Sequence, residues 1–510
     1  MAAAAVVRFV ILFHSQTHVH SDEAIIGLMG KHILEGKFFP FYMYGQDYNA
    51  AAAWEAYLAV IPYSLFGVGV VPLKAGIVVL SLATLVAFYA MTLSVYGRST
   101  AIVATIVFAL SPSLLKWHFQ VRGYSWYLLS IPILTALFFA IEAHTPPRRR
   151  LLFLFGVVTG LSIWSLELVL VVCLALWGLL ALRRRLSVTH AITALAGFVV
   201  GYAPAIVFNI SHHFVNWTEV FIDKSGGTGL FNPSTYVEIF AKEMPKFFGP
   251  DTTLWYYPET PAIGYAFYAI AIAAIAVALL PFVKRPPRLM DGVRGELATN
   301  DENKDLVMVV LTIACFVPYV VAPVRVPGYF LGGCVFLSVL AGRLLVRAWS
   351  SPKLPARIAG GLLLALTAWG GVAAIVETGR RNQIETLSLN SAGGLDLTRF
   401  PGADIDLVER HLRDHGIDSV WATMSFVYPL LFESGETLAV SDKVFGGEQE
   451  VYPSAVARRQ PSGGPRQVFV LESNSPLRAA VIGRSTELFG APPAVTEYGS
   501  LVVIEAQRRP

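Results

Sequence analysis

From about residue 69 to residue 377 one apolar stretch follows another, and the breaks between them alternate between arginine-rich and arginine-poor. A helix needs about 20 apolar residues to cross the hydrocarbon core of a bilayer, so a chain patterned in this way threads a membrane many times. Spans are expected near 1–13, 69–95, 100–115, 125–142, 151–166, 167–182, 191–209, 261–283, 306–322, 328–347 and 358–377. Composition agrees: 55% of the residues are hydrophobic and 15% are charged, too apolar for a soluble chain of 510 residues. The run 1–13 is short for a span, which points to a start upstream of, or other than, Met1. Arg8 in mid-segment and the lack of a small-residue cleavage site argue against a cleaved signal peptide.

Cations concentrate in alternate loops, which sets the orientation. Arg98, Arg148-Arg149-Arg150, Arg183-Arg184-Arg185, the group Lys284, Arg285, Arg288, Arg294 and Lys304, and finally Lys353 and Arg357 all fall on the same side if the N-terminus lies inside. Eleven spans then leave the C-terminus outside, together with the long loops 14–68 and 210–260. The expected division is a transmembrane domain over 1–379 and a small extracytoplasmic α/β domain over 380–510. In that tail the spacing of Ile405, Leu407, Val408 and Leu412 predicts a helix that stops at Gly416. Strand-like runs at 419–423, 437–440, 467–471 and 501–505, with helical patterns between them, predict a mostly parallel sheet. Cys173, Cys315 and Cys334 all lie in apolar runs, so neither a disulfide framework nor thiolate zinc is expected in the tail.

The most informative polar residues are Asp22 and Glu23, just after the first span and at the start of the first long loop. Ionised groups at a bilayer edge are costly and usually functional. The plain alternative is that Ser21 or Asp22 caps an interfacial helix with Ile25, Ile26, Leu28, Met29, Ile33 and Leu34 along one face, ending at Gly36. A capping aspartate can also be a catalytic base, so the two readings are compatible. The outward loop 116–127 brings Lys116, His118 and Arg122 together with Trp117, Tyr124, Trp126 and Tyr127, as either an aromatic belt or an anion site. Arg325 is the one charge in a short turn between two spans, either snorkelling or clamping a phosphate. His212-His213 makes a poor metal pair, and Glu167 reads as a turn residue. The sequence has no nucleotide-phosphate loop, metalloprotease helix or serine elbow.

An outward-facing membrane enzyme has no access to cytoplasmic nucleotide sugars, but it can draw a sugar carried on a polyprenyl phosphate from the bilayer. Inverting displacement of that phosphate needs one base for the acceptor and no general acid, because the phosphate leaves as a stable anion. One carboxylate, a few cations and a lipid-facing groove suffice.

At these residues the chain resembles the GT-C superfamily of polyprenyl-phosphate-sugar-dependent glycosyltransferases, in particular the bacterial relatives of protein O-mannosyltransferases and of the lipid A aminoarabinose transferase. The resemblance is carried by Ser21-Asp22-Glu23-Ala24, Gly36-Lys37-Phe38-Phe39-Pro40, Tyr44-Gly45-Gln46-Asp47-Tyr48 and Glu55-Ala56-Tyr57-Leu58. Gly201-Tyr202-Ala203-Pro204 with Phe208-Asn209, and the turn from Arg325 to Tyr329, extend it over most of 14–345. It implies Asp22 as base, Glu23 as an auxiliary carboxylate, and Lys116, His118, Arg122 and Arg325 toward the lipid-linked phosphate, with Tyr44, Tyr48 and Glu55 lining a sugar pocket.

Family members often carry a second acidic residue in the second outward loop. This sequence has only basic, polar and aromatic residues there, which removes one ligand of a metal bridged by two carboxylates. No cofactor is required by the reading, although the resemblance leaves room for a divalent metal. The expected partners are a polyprenyl-phosphate-linked sugar, an extracytoplasmic lipid, glycan or protein acceptor, and membrane lipids, with no nucleic acid. The expected location is the inner (plasma) membrane. A polytopic transporter or lipid-linked-sugar flippase is the alternative; it calls for inverted repeats and ionisable residues at mid-membrane, whereas most ionisable residues here sit at span ends.

Overall fold

A computed structural model describes residues 1–45, 53–215, 232–249, 262–283, 300–321, 326–380, 383–389, 395–441, 461 and 465–507. Each expected span coincides with helix. Among the described residues, seven helices are long and apolar enough to cross a bilayer: Val70–Tyr96, Tyr124–Glu142, Val188–Ser211, Gly264–Val283, Asp301–Val321, Pro327–Trp349 and Leu354–Gly379. Ala2–Ser15, Arg98–Ala109 and Glu167–Leu182 are shorter apolar helices, and Arg149–Ser165 lies between them. The run read as 100–115 is two helices, Arg98–Ala109 and Pro112–Trp117. Pro112 has no N–H and forces Ser111 into extended backbone (ψ 120°), which breaks the helix there.

The chain divides into two compact units. The first comprises Met1–Arg8, Tyr48–Ala52 and Ile77–Glu377; the second comprises Phe9–Asp47, Ala53–Gly76 and Thr378–Pro510. Thr378–Pro510 thus shares its unit with segments of the first long loop.

In the first unit, Arg149–Ser165 and Val188–Ser211 approach until their backbones touch. A Cβ on Gly156 would lie 1.9 Å from the Ala194 carbonyl oxygen, and one on Gly201 would lie 2.1 Å from that of Val157. Gly160 and Gly197 complete the paired small-xxx-small pattern. Lipid tails are as apolar as leucine, so helices in a bilayer associate by this kind of close packing rather than by hydrophobic exclusion. Ion pairs fix the helix ends. Asp305, 1% exposed, accepts from Arg343 Nε at 3.1 Å and from Arg347 at 2.6 Å, and the Arg343 guanidinium lies 4.4 Å from the centre of the Tyr96 ring. Glu142 accepts from Arg183 Nε at 2.7 Å.

The second unit contains helices Ser21–Leu34 and Trp54–Phe66 and the α/β tail. Strands β1 (Gln383–Leu389) and β2 (Leu395–Pro401) form an antiparallel hairpin. Strands β3 (Ser419–Ala422), β4 (Ala439–Ser441), β5 (Arg466–Glu472), β6 (Ala494–Tyr498) and β7 (Leu501–Gln507) form one sheet in the order β4-β3-β5-β7-β6. The parallel expectation holds for β3 against β4 and β5, while β7 runs antiparallel to β5 and β6. Only Gly499 and Ser500 separate β6 from β7, with Gly499 at φ 61°, and a two-residue connection cannot make a parallel crossover. Phe469, Leu471, Val481, Val502 and Ile504 form the core on one face of the sheet. The predicted helix near 404–416 runs over Gly402–Asp414.

Candidate active site

Asp22 and Glu23 open the helix Ser21–Leu34, but neither Ser21 nor Asp22 is its cap. His20 holds that position: its Nδ1 accepts from the Glu23 N–H at 3.5 Å, and the Glu23 carboxylate accepts from the His20 N–H at 3.3 Å. This reciprocal arrangement satisfies two of the helix's orphan donors. The helix is also not an amphipathic strip: Ile25, Ile26, Leu28 and Met29 are at most 2% exposed, and a Cβ on Gly27 would lie 2.7 Å from the Phe432 ring. Tyr63 donates to the Gly27 carbonyl at 3.3 Å, and Ser21 donates to that of Ser425 at 3.2 Å.

The two acidic residues differ sharply in environment. Glu23 is buried and its carboxylate lies 3.3 Å from Lys74 Nζ, with both side chains at most 3% exposed. Asp22 is half-buried. Lys74 escaped the sequence reading because it sits in the first turns of an apolar span, 51 residues away (74 − 23).

Beyond this pair lies a second acidic group. His18 is 3.8 Å from both Asp406 and Glu433, and Glu433 shares a hydrogen bond with Glu409. Burial, then that hydrogen bond and the Glu433 charge, push Glu409 up to about 9, while burial also raises Glu433. Burial holds His18 below its ordinary value. A proton therefore rests between the two glutamates at neutral pH.

Tyr44 and Glu55 are both buried. The Tyr44 hydroxyl meets His32 Nδ1 at 3.0 Å, and His32 Nε2 meets Glu436 at 3.1 Å. Glu436 is paired in turn with Lys31. Burial raises the Tyr44 phenol, with the Glu436 charge adding to it. Tyr44 is thus part of a hydrogen-bonded chain that braces the helix Ser21–Leu34. Tyr48 lies outside the described residues.

In the first unit the loop after Trp117 and the turn before Leu331 come together. A Cβ on Gly328 would lie 2.6 Å from the Tyr124 ring and 2.8 Å from that of Trp117, so only glycine permits this approach. Arg122, half-buried, sits near the Tyr124 and Tyr329 hydroxyls; burial lowers its guanidinium to about 10 while both tyrosines pull the other way, so it stays charged at neutral pH. Glu167 opens a 3-10 turn (Glu167–Val169) close enough to act electrostatically on both tyrosines. Arg122, Tyr124, Tyr329 and Glu167 therefore form one cluster, in which Glu167 is more than a turn residue. Glu167 lies 45 residues after Arg122 and 162 before Tyr329, so no local spacing shows its membership.

Arg325 itself lies outside the described residues, although the turn that follows it belongs to this cluster. His118 points elsewhere: it is 1% exposed and its Nδ1 accepts from Arg8 at 3.1 Å. Burial, then the Arg8 charge, hold it well below the usual histidine range, so it is neutral. Lys116 is half-buried on the helix Pro112–Trp117. Among the described residues no group of three or more His, Cys, Asp or Glu side chains is arranged to hold a metal ion.

No family model and no curated protein matches this sequence. Solved structures do match the fold. Lipid A aminoarabinose transferase ArnT from Cupriavidus metallidurans superposes in the apo state with a TM-score of 0.58 at 13% identity, covering 99% of this chain and 96% of that one. The same protein bound to undecaprenyl phosphate gives 0.59 at 12% identity, covering 99% and 97%. The Archaeoglobus fulgidus oligosaccharyltransferase in complex with Zn and sulfate gives 0.50 at 13% identity, covering 96% of this chain and 70% of that one. The chain is therefore a multi-pass membrane protein with the GT-C fold.

Proposed function

We propose that this protein is an integral-membrane, inverting glycosyltransferase that moves a hexosyl or pentosyl group from a polyprenyl-phosphate donor to an extracytoplasmic lipid, glycan or protein acceptor. The observation that carries this reading is the end-to-end match to an ArnT structure that contains undecaprenyl phosphate. A shared fold alone does not specify chemistry, so the side chains must supply the rest. Asp22 acts as the general base, on a helix whose N-terminus is already capped by His20 and whose neighbouring carboxylate is neutralised by Lys74. Glu23 is a structural carboxylate that holds the first turn in place. Arg122, with Tyr124 and Tyr329, receives the donor phosphate, and Arg325 and Lys116 add charge to that binding. Charge-assisted bonds from a planar guanidinium suit a phosphate that becomes more negative as it leaves.

The enzyme resides in the inner membrane, and the α/β tail lies on its extracytoplasmic side. The test is turnover: protein purified in detergent and supplied with a polyprenyl-phosphate sugar releases free polyprenyl phosphate in an acceptor-dependent manner. Unchanged donor across acceptors of all three classes, together with donor movement between leaflets of proteoliposomes, would instead favour a flippase.

A further inference from the structure

A charge within a membrane-spanning helix is expensive and normally finds a counter-charge. Arg183 and Arg343 meet Glu142 and Asp305 in this way. Arg8 does not. It lies mid-way along Ala2–Ser15 and is 1% exposed, and its guanidinium donates to two neutral acceptors, the Ala4 carbonyl at 3.3 Å and His118 Nδ1 at 3.1 Å. Its Nε is buried with no hydrogen-bond partner, and among the described residues no carboxylate pairs with it.

Arg8 stands in the wall of a cavity of 430 Å³ between the helices Ala2–Ser15, Val70–Tyr96, Arg98–Ala109 and Leu354–Arg380. The rest of the wall is mainly hydrocarbon, including Ala4, Leu85, Ile106, Leu115 and Ile375. Thr105 also lines it, and its buried hydroxyl has no partner either. An apolar chamber with an uncompensated guanidinium and an idle hydroxyl is the complement of an anionic amphiphile.

We infer that this cavity holds an anionic phospholipid of the surrounding membrane, with an acyl chain against the apolar wall and a phosphate oxygen accepting from Arg8. At 430 Å³ the cavity is toward the small end of ligand pockets and has room for one acyl chain. The site is independent of the proposed reaction.

The experiment is native mass spectrometry of the purified, delipidated protein titrated with phosphatidylglycerol or with phosphatidylethanolamine of the same acyl chains. The wild type retains one phosphatidylglycerol in preference to phosphatidylethanolamine. Arg8→Gln weakens the anionic lipid by about 10- to 100-fold, the loss of one charge-assisted contact, with little effect on the zwitterionic one. Ala109→Phe, which keeps Arg8 but fills the cavity, lowers retention of both, and Thr105→Val is a milder variant should either of these fail to fold. Equal retention of the two lipids by the wild type overturns the proposal without any variant. So does unchanged phosphatidylglycerol in folded Arg8→Gln, or a wild type that exchanges the bound lipid for polyprenyl phosphate.

Discussion

Glu23→Gln separates structure from chemistry at the start of the helix Ser21–Leu34. The amide keeps the oxygen that accepts from the His20 N–H, so the capping bond at 3.3 Å survives. What disappears is the charge facing Lys74 Nζ at 3.3 Å, in surroundings where both side chains are at most 3% exposed. Removing one partner of a buried ion pair typically costs about 3–5 kcal/mol, because the other charge is left without compensation. Lys74 also feels Glu433, which places the expected loss near the lower end, about 3 kcal/mol. Lys74→Met alone removes the other charge of the pair, whereas the double variant removes both charges and recovers much of the loss, giving a coupling of about 1–3 kcal/mol. The assay is thermal and denaturant unfolding of the four proteins in one detergent. If the two single changes are additive in the double variant, or if Glu23→Gln melts with the wild type, the pair does not hold this turn and Glu23 must be reconsidered as a participant in transfer.

Three further outcomes follow from the geometry. Arg122→Ala lowers donor use by about 10- to 100-fold through loss of a charged contact; Arg325→Ala acts likewise and Arg325→Lys only partly compensates, and parental transfer in both alanine variants would make these arginines interfacial anchors. Glu409, held protonated in the fold, contributes stability that is fully present below its ordinary value of 4.5 and is lost as the pH rises through about 9. His18, held below 6.5, works in the opposite sense on the acid side, so the melting temperature falls most clearly from about pH 7 to about pH 9, and Glu409→Gln flattens that slope. Gly201→Ala pushes a methyl to 2.1 Å from the Val157 carbonyl oxygen, a backbone contact that only helix separation relieves; the yield of folded protein drops, by overpacking worth about 1–3 kcal/mol or more, while Gly178→Ala, with open space around it, is tolerated.

The spans were legible because bilayer thickness imposes a length on apolar runs, and the helix stop at Gly36 was legible because its φ of 68° suits glycine. Capping was misjudged because serine and aspartate are the commoner caps; the glutamate three residues after His20 was the signal. The hairpin β1–β2 was not among the expected strands, nor was β6, whose pattern is largely exposed and gives no clear alternation. The side-chain pairings share one cause. Lys74 with Glu23, Arg8 with His118, and Glu409 with Glu433 are partners distant in sequence, and no local periodicity brings them together. Asp22 was legible by position alone, as a carboxylate beside an apolar run. That it is half-buried while its neighbour is locked to a lysine became visible only in three dimensions.

The central claim is that Asp22 is the base, and its replacement by asparagine in a transfer assay tests this most directly. Because His20 caps the helix, Asp22→Asn leaves both the cap and the Glu23–Lys74 pair in place, and protein level in the membrane is the control for folding. Asparagine cannot take the acceptor's proton, and loss of a positioned base typically costs about 10²–10⁴-fold in rate. Sugar incorporation from a polyprenyl-phosphate donor, measured in membranes at equal protein levels, is predicted to fall by that factor. Transfer at the parental rate would contradict the account and move the base elsewhere, to Asp47 or Glu55.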